Sequence, residues 1–454
     1  MTTSTRATPP YQRFAPHTGS GSMAIIEPGA SDAAGRRLRM AALLVLAVCV
    51  FGIFACDFLV ASGVGRDQPS SHNNGFRLYA LHEPPFLWLL VAFAIVVWLL
   101  ARRWGAVGAP RPRPSARSLA APALLAALAV MLAAVAGSVA VMHTALRPAA
   151  LVNPLLAAIS ILSLAGASAR LWPGDVRRGR LAILYLATST QFLFVSMTAE
   201  TWAAHLTFNL LWFYLVLRDD RFGLAAAPLV GVAALALQTP LPHALFAAPF
   251  VLRLLRTRRV GWIGYYGAVY SVGALALYRW TSFSNADVGQ SRALDVFGVP
   301  GSERFFVQGM NLAALLTWQA PAMALFVAAA LLLVRVVKPA ERDLMAGLIL
   351  MFAFYFMFGG TDGHNWGYRH LYPALGTAAL LAASATVAIA GQRGGALVSR
   401  LVVVSTAMAL LIQLPLRAIQ AGRATHAGAL ASRLRSTPTL DQPRAAPKPS
   451  PRRP

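Results

Sequence analysis

From position 40 to position 416 the chain is a succession of apolar runs of roughly 15–25 residues separated by short polar stretches. Each run is long enough, or nearly so, to cross about 30 Å of hydrocarbon as a helix. The runs fall at about 40–57, 85–101, 118–142, 149–169, 181–198, 203–217, 223–238, 243–252, 260–279, 310–334, 343–358, 370–391 and 396–416. This pattern predicts an all-α fold, a polytopic transmembrane helical bundle. The stretches 203–217, 223–238 and 243–252 are short enough to be tilted, broken or re-entrant, so about 11–13 spans are expected. Residues 1–39 are polar and read as a disordered cytoplasmic leader, 40–416 as one integral membrane domain, and 417–454 as a disordered basic tail rich in Pro and Arg. The long charged stretch before the first run, with no small-residue cleavage site after it, predicts an anchor that is retained.

Composition narrows the class. Hydrophobic residues make up 57% of the 454 positions and charged residues 12%, against about 25% charged in a soluble domain, which excludes a soluble enzyme. The formal charge of +24 comes from 40 Lys+Arg against 16 Asp+Glu; Lys338 and Lys448 are the only lysines, leaving 38 arginines. That excess of Arg, with abundant Ala, fits a GC-rich bacterium and a bacterial inner (cytoplasmic) membrane. No nucleic-acid partner is expected, because the arginines sit in short clusters between apolar runs, where they orient a membrane protein. The clusters are Arg102 to Arg117, Arg170 to Arg180, Arg218 with Arg221, Arg253 to Arg259, Arg335 to Arg342, and Arg393 with Arg400. With the thirteen runs as spans, all six fall on the cytoplasmic face and the loops 58–84, 280–309 and 359–369 on the other. The tail then lies outside, although its eight Lys/Arg against the lone Asp441 run against the charge rule. Cys49 and Cys56 are seven apart on one helix, a rise of roughly 10 Å, too far for a disulfide.

Candidate chemistry follows from this sorting. Eight of the sixteen carboxylates fall outside: Asp57, Asp67, Glu83, Glu200, Asp287, Asp295, Glu303 and Asp362. No metal-ligand cluster, phosphate loop, dinucleotide fingerprint or nucleophile elbow is present in the sequence. Two stretches interrupt apolar runs with polar residues. One runs from Ser189-Thr190-Gln191 through Glu200 and His205 to Asn209; the other is Gly359 to Pro373, with Asp362, His364, Trp366, Tyr368 and Arg369. Ionisable residues at membrane depth are functional candidates by default, with helix pairing as the structural alternative. In the second stretch Trp366 and Tyr368 offer aromatic faces to a sugar or to the membrane interface, and Arg369 can hold a phosphate bidentately or snorkel to the headgroups.

The strings Ser189-Thr190-Gln191-Phe192-Leu193, Met197-Thr198, Ala204-His205-Leu206, Asn209-Leu210-Leu211-Trp212, Pro242-His243-Ala244 through Phe250, and Gly363-His364-Asn365-Trp366-Gly367-Tyr368-Arg369 resemble a bacterial family of polytopic membrane proteins similar to the GT-C glycosyltransferases. The resemblance covers about 150–390. It implies a GT-C-like bundle that transfers a sugar from a polyprenyl-phosphate carrier to an extracytoplasmic acceptor, with the lipid bilayer and the polyprenyl-phosphate-linked sugar as partners. It further implies substrate-binding roles for Glu200, His205, His243, His364, Trp366, Tyr368 and Arg369. One departure bears on catalysis. Such proteins place an acidic pair in their first long outer loop, whereas the helix ending near Met142 is followed only by His143-Thr144-Ala145-Leu146-Arg147-Pro148. The catalytic base is therefore sought at Asp57, Asp67 or Asp362. The alternatives are a degenerate, non-catalytic relative or scaffold, and a transporter, for which inverted halves with broken helices are not evident in the sequence.

Overall fold

The computed structural model describes residues 30–61, 83–102, 119–141, 148–198, 200–237, 240–257, 259–283, 302–333, 338–358, 364–365, 367–391 and 395–422. The described residues of all thirteen apolar runs are mostly helical. The helices are α1 (Ala30–Ala61), α2 (Pro84–Arg102), α3 (Ala120–Ala140), α4 (Val152–Leu171), α5 (Val176–Ala187), α6 (Thr190–Ser196), α7 (Trp202–Arg218), α8 (Arg221–Leu235), α9 (Leu241–Arg256), α10 (Val260–Phe283), α11 (Ser302–Thr317), α12 (Pro321–Leu332) and α13 (Pro339–Phe358). A two-stranded hairpin, β1 (His364–Asn365) with β2 (Gly367–Tyr368), leads through a 3-10 turn (Arg369–Ala374) into α14 (Leu375–Ile389). The last helix, α15 (Gly395–Met408), continues through a π segment (Ala409–Gln413) to Gly422.

Among the described residues seven helices are long and apolar enough to cross a membrane, and an eighth is counted if α11 and α12 form one bent span. This is a multi-pass membrane protein. The shorter helices explain why fewer helices qualify than there are apolar runs. With a rise of about 1.5 Å per residue, the 15 residues of α8 cover only about 22 Å. The run at 181–198 is divided into α5 and α6 at Thr188-Ser189, where Ser189 is extended and its hydroxyl caps the Phe192 N–H at 3.1 Å. The run at 310–334 is not one helix either. Pro321 opens α12, the preceding Ala320 is pushed to ψ 130, and the two helices meet at 113°. The expected leader and tail are also shortened: helix begins at Ala30, and Arg417, assigned to the tail, lies buried in helix.

α14 lies at the centre, packed on α5, α12 and α13, with Tyr185 and Thr386 hydroxyls 2.8 Å apart. α4 and α7 are pinned by Ser160 to Thr207 at 2.9 Å. Interhelical hydrogen bonds between small hydroxyl side chains are the usual adhesive where lipid offers no hydrophobic drive. α10, by contrast, presents Val272, Leu275 and Tyr278 outward.

Direct contacts show that four arginine clusters share one end. Lys338 Nζ donates to Leu171 O at 3.0 Å, Arg253 pairs with Asp343, and Arg259 pairs bidentately with Asp219 at 2.5 and 3.3 Å. There Glu341 accepts from Trp172 Nε1 (2.6 Å) and Ser384 Oγ (2.8 Å), and reaches back to the Lys338 N–H (2.7 Å) as the carboxylate half of a capping box. The other end gathers the flanks of the three expected outer loops. Phe58 stacks on Phe306 at 3.9 Å, Tyr368 Oη donates to Gln308 Oε1 at 2.9 Å, and Thr317 Oγ1 donates to Glu83 Oε2 at 2.8 Å.

Candidate functional site

At the end away from the arginine clusters, the chain between α6 and α7 turns within a set of backbone clamps. Asn153 Nδ2 on α4 donates to Thr198 O at 2.6 Å and Glu200 O at 2.8 Å, and Ser138 Oγ on α3 donates to Met197 O at 3.0 Å. This turn sets Glu200 at the mouth of α7. One face of α7 then carries Trp202, His205, Asn209 and Trp212, all buried, at spacings that keep them on one side of a helix.

The 3-10 turn after the hairpin lies against that face. Trp202 lies 5.4 Å from the His205 ring and 5.6 Å edge-on from His370. His370 stacks nearly parallel on Tyr355 at 4.8 Å, with Tyr368 edge-on at 6.1 Å. Half-buried Arg369 sits between Tyr368 and His370 in the chain, and fully buried Tyr372 lies beside Ser196 and in the field of Glu200. A carboxylate, a guanidinium, two imidazoles and several aromatic rings are thus gathered at one end of an otherwise apolar bundle. Both ring nitrogens of His205 are buried without a hydrogen-bond partner, a costly state unless something polar completes it.

The expected site residues fare differently. Glu200, His205, Tyr368 and Arg369 fall at the same end of the bundle, His205 and Tyr368 being linked through Trp202 and His370. His243 is not open to a ligand in the same way: Nδ1 meets Asn209 Oδ1 and Nε2 meets Tyr270 Oη, each at 2.9 Å, under the edge of Trp212. Both nitrogens being taken, this histidine is a fully bonded link between α7, α9 and α10. Asp57 is exposed on the last turns of α1. His364 pairs with Tyr368 through the hairpin backbone, and its side chain, like Asp67, Asp362 and Trp366, lies outside the described residues. Among the described residues no three His, Cys, Asp or Glu side chains converge as metal ligands.

Two features escaped the sequence reading. His370 and Tyr355 complete the aromatic group: His370 lies within the Gly359 to Pro373 stretch without a role assigned to it, and Tyr355 sits in an apolar run that gives no signal. Glu83 and Arg417 form a fully buried ion pair at 2.7 Å, with Trp318 Nε1 on Glu83 Oε1 at 3.0 Å. The Arg417 guanidinium lies between the Phe86 and Trp318 rings, 3.7 and 4.3 Å from their centroids. This pair ties α2 and α15 to the break between α11 and α12.

Fold and site together define a polytopic α-helical membrane protein with a polar cluster at one end of the bundle. Compared with protein-family models, with curated proteins and with solved structures, the chain matches none.

Proposed function

We propose that the chain is a glycosyltransferase of the bacterial inner membrane that takes a sugar from a polyprenyl-phosphate carrier at the end of the bundle opposite the arginine clusters. The observation that carries this reading is the packing of Trp202 and Tyr368 on His370 beside the clamped 197–202 turn, with Glu200 in that turn and Arg369 between Tyr368 and His370 in the chain. The transfer needs a carboxylate to take the proton of an acceptor hydroxyl while the acceptor oxygen bonds to the anomeric carbon. The bond from that carbon to the carrier phosphate breaks, and the phosphate leaves with the electron pair. Arg369 suits the leaving phosphate, since a guanidinium already in place stabilises charge as it develops. Buried Trp202 and Tyr368 form an aromatic wall behind these polar groups. Glu200 is the carboxylate within the cluster, while Asp57, Asp67 and Asp362 remain candidate bases from the flanking segments.

Transfer of labelled sugar from polyprenyl phosphate, with protein in nanodiscs, tests this. Turnover should fall about 10²-fold or more in Arg369→Ala and in whichever of Glu200→Gln, Asp57→Asn, Asp67→Asn and Asp362→Asn removes the base. No turnover by the parent across a panel of sugars and acceptors would overturn the reading. A transporter is favoured by one observation, the two helices broken where their breaks meet, since transporters build binding sites from discontinuous helices. Uptake of sugar into vesicles without transfer would establish it.

A further inference from the structure

The two helix breaks meet each other. Gln191 N donates to Trp318 O at 3.2 Å, and Gln319 Nε2 donates to Gln191 Oε1 at 3.0 Å. Gln191 and Gln319 are 0% and 3% exposed, yet Gln191 Nε2 and Gln319 Oε1 have no hydrogen-bond partner. Exchanging O and N on both amides turns the pair round and again leaves one donor and one acceptor over. Such groups are satisfied in native proteins, by protein, water or ligand.

The chemistry of these groups selects the occupant. All are neutral. A cation would meet the amide N–H₂ and an anion would meet the amide oxygen, so neither suits the pair. A group that donates and accepts through one atom does, which is a hydroxyl oxygen. Gly367 packs directly on the Gln191 side of the junction. It has φ +84, and a Cβ there would stand 2.6 Å from Gln191 Cδ. Its neighbour Tyr368 bonds Gln308, and Gln308 in turn accepts from Asn311 Nδ2 at 3.4 Å. The strand that leads into Arg369 is therefore continuous with the junction.

We propose that the junction of the two broken helices, at the Gln191 and Gln319 amides, is a binding site for a hydroxyl oxygen, supplied by a sugar-bearing substrate or by a trapped water. The sugar source rests on the transferase reading; the water source does not.

Two measurements on the full chain in nanodiscs test it. The first is a density map of the parent at a resolution that shows ordered water. The second is binding of a panel of free monosaccharides, and of sugar-free polyprenyl phosphate as control, to the parent, Gln191→Met and Gln319→Met. A sugar source gives binding that weakens about tenfold or more in both variants while the sugar-free lipid binds all three alike. A water source gives a peak within hydrogen-bond distance of both amides in the parent and no sugar binding that depends on them. A parent map without that peak, together with no amide-dependent sugar binding, overturns the proposal. If the Met variants do not fold, the parent decides alone: a water peak, or a bound sugar oxygen at the amides, supports the site, and neither overturns it. Failure of the transfer assay leaves the water result standing.

Discussion

Gly367→Ala should separate two costs that usually arrive together. The residue has φ +84, where a Cβ is strained, and its new methyl carbon would also meet the Gln191 side chain at 2.6 to 3.0 Å. Gly174 supplies the control. It occupies the third position of the Trp172-Pro173-Gly174-Asp175 turn at φ +80, with nothing within 4 Å of an added methyl, so that Gly174→Ala meets only the backbone strain. That strain is about 1–2 kcal/mol. At Gly367 the forced shift of a buried amide held by Gln319 adds about 1–3 kcal/mol. Unfolding in mild detergent, followed by circular dichroism, should therefore place Gly174→Ala about 1–2 kcal/mol and Gly367→Ala about 2–5 kcal/mol below the parent. In a Gln191→Ala background the second term vanishes, and Gly367→Ala should cost no more than Gly174→Ala. Equal losses for the two glycine variants in the parent, or a Gly367 loss indifferent to Gln191 within about 0.5 kcal/mol, would refute the packing argument.

Further outcomes can be checked in the same detergent system. Arg417→Ala leaves the Glu83 carboxylate buried and unpaired and should destabilise by about 3–5 kcal/mol, whereas Glu83→Gln with Arg417→Met should cost clearly less; equal losses would mean that the ion pair is not enclosed. Tyr270→Phe strands the His243 Nε2 inside the bundle and should cost about 1–3 kcal/mol, while a loss under about 0.5 would place water there. Asp220→Ala removes the cap of α8 and should cost about 1 kcal/mol at neutral pH. The Gly223 N–H, then Arg218, hold the Asp220 carboxyl below its ordinary range. Its contribution is thus fully present above the ordinary carboxylate pKa and fades as pH falls through the depressed one. A gap between parent and variant that widened in acid would reverse the assignment.

Much of the fold was legible because lipid permits few solutions. The run expected at 203–217 is the helix Trp202–Arg218, bounded by the polar Thr201 and by Asp219, whose left-handed φ of 51 ends the helix. The arginine clusters were legible as a group because their charges must stay near water, and the ion pairs to Asp219 and Asp343 hold several of them at one end. The break at Trp318-Gln319-Ala320 was not read, although Pro321 announces it, since the apolar residues on both sides carry the hydropathy straight through. In the site, Glu200, His205 and Arg369 stood out as ionisable residues in apolar surroundings. The positions of Tyr355 and His370 depend on how α13 and the 369–374 turn pack, which local pattern does not encode. Gln319 is silent for the same reason: a lone amide in an apolar run acquires meaning only once Gln191 is found beside it.

The bond between Arg417 and Glu83 spans 334 positions of chain, and that separation has a consequence for biogenesis. Glu83 precedes α2 and emerges from the ribosome early, while its only ion-pair partner among the described residues belongs to the last described helix. Throughout insertion of the intervening helices the carboxylate must stay at the wet surface, because an unpaired charge held in hydrocarbon is costly. Arrival of α15 is then what permits the α2 end, the bent α11–α12 pair and the aromatic rings of Phe86 and Trp318 to close together. Closure of this end therefore waits until Arg417 has been made, and a chain arrested before position 417 would carry the earlier helices with an open, hydrated seam for quality-control proteases to find.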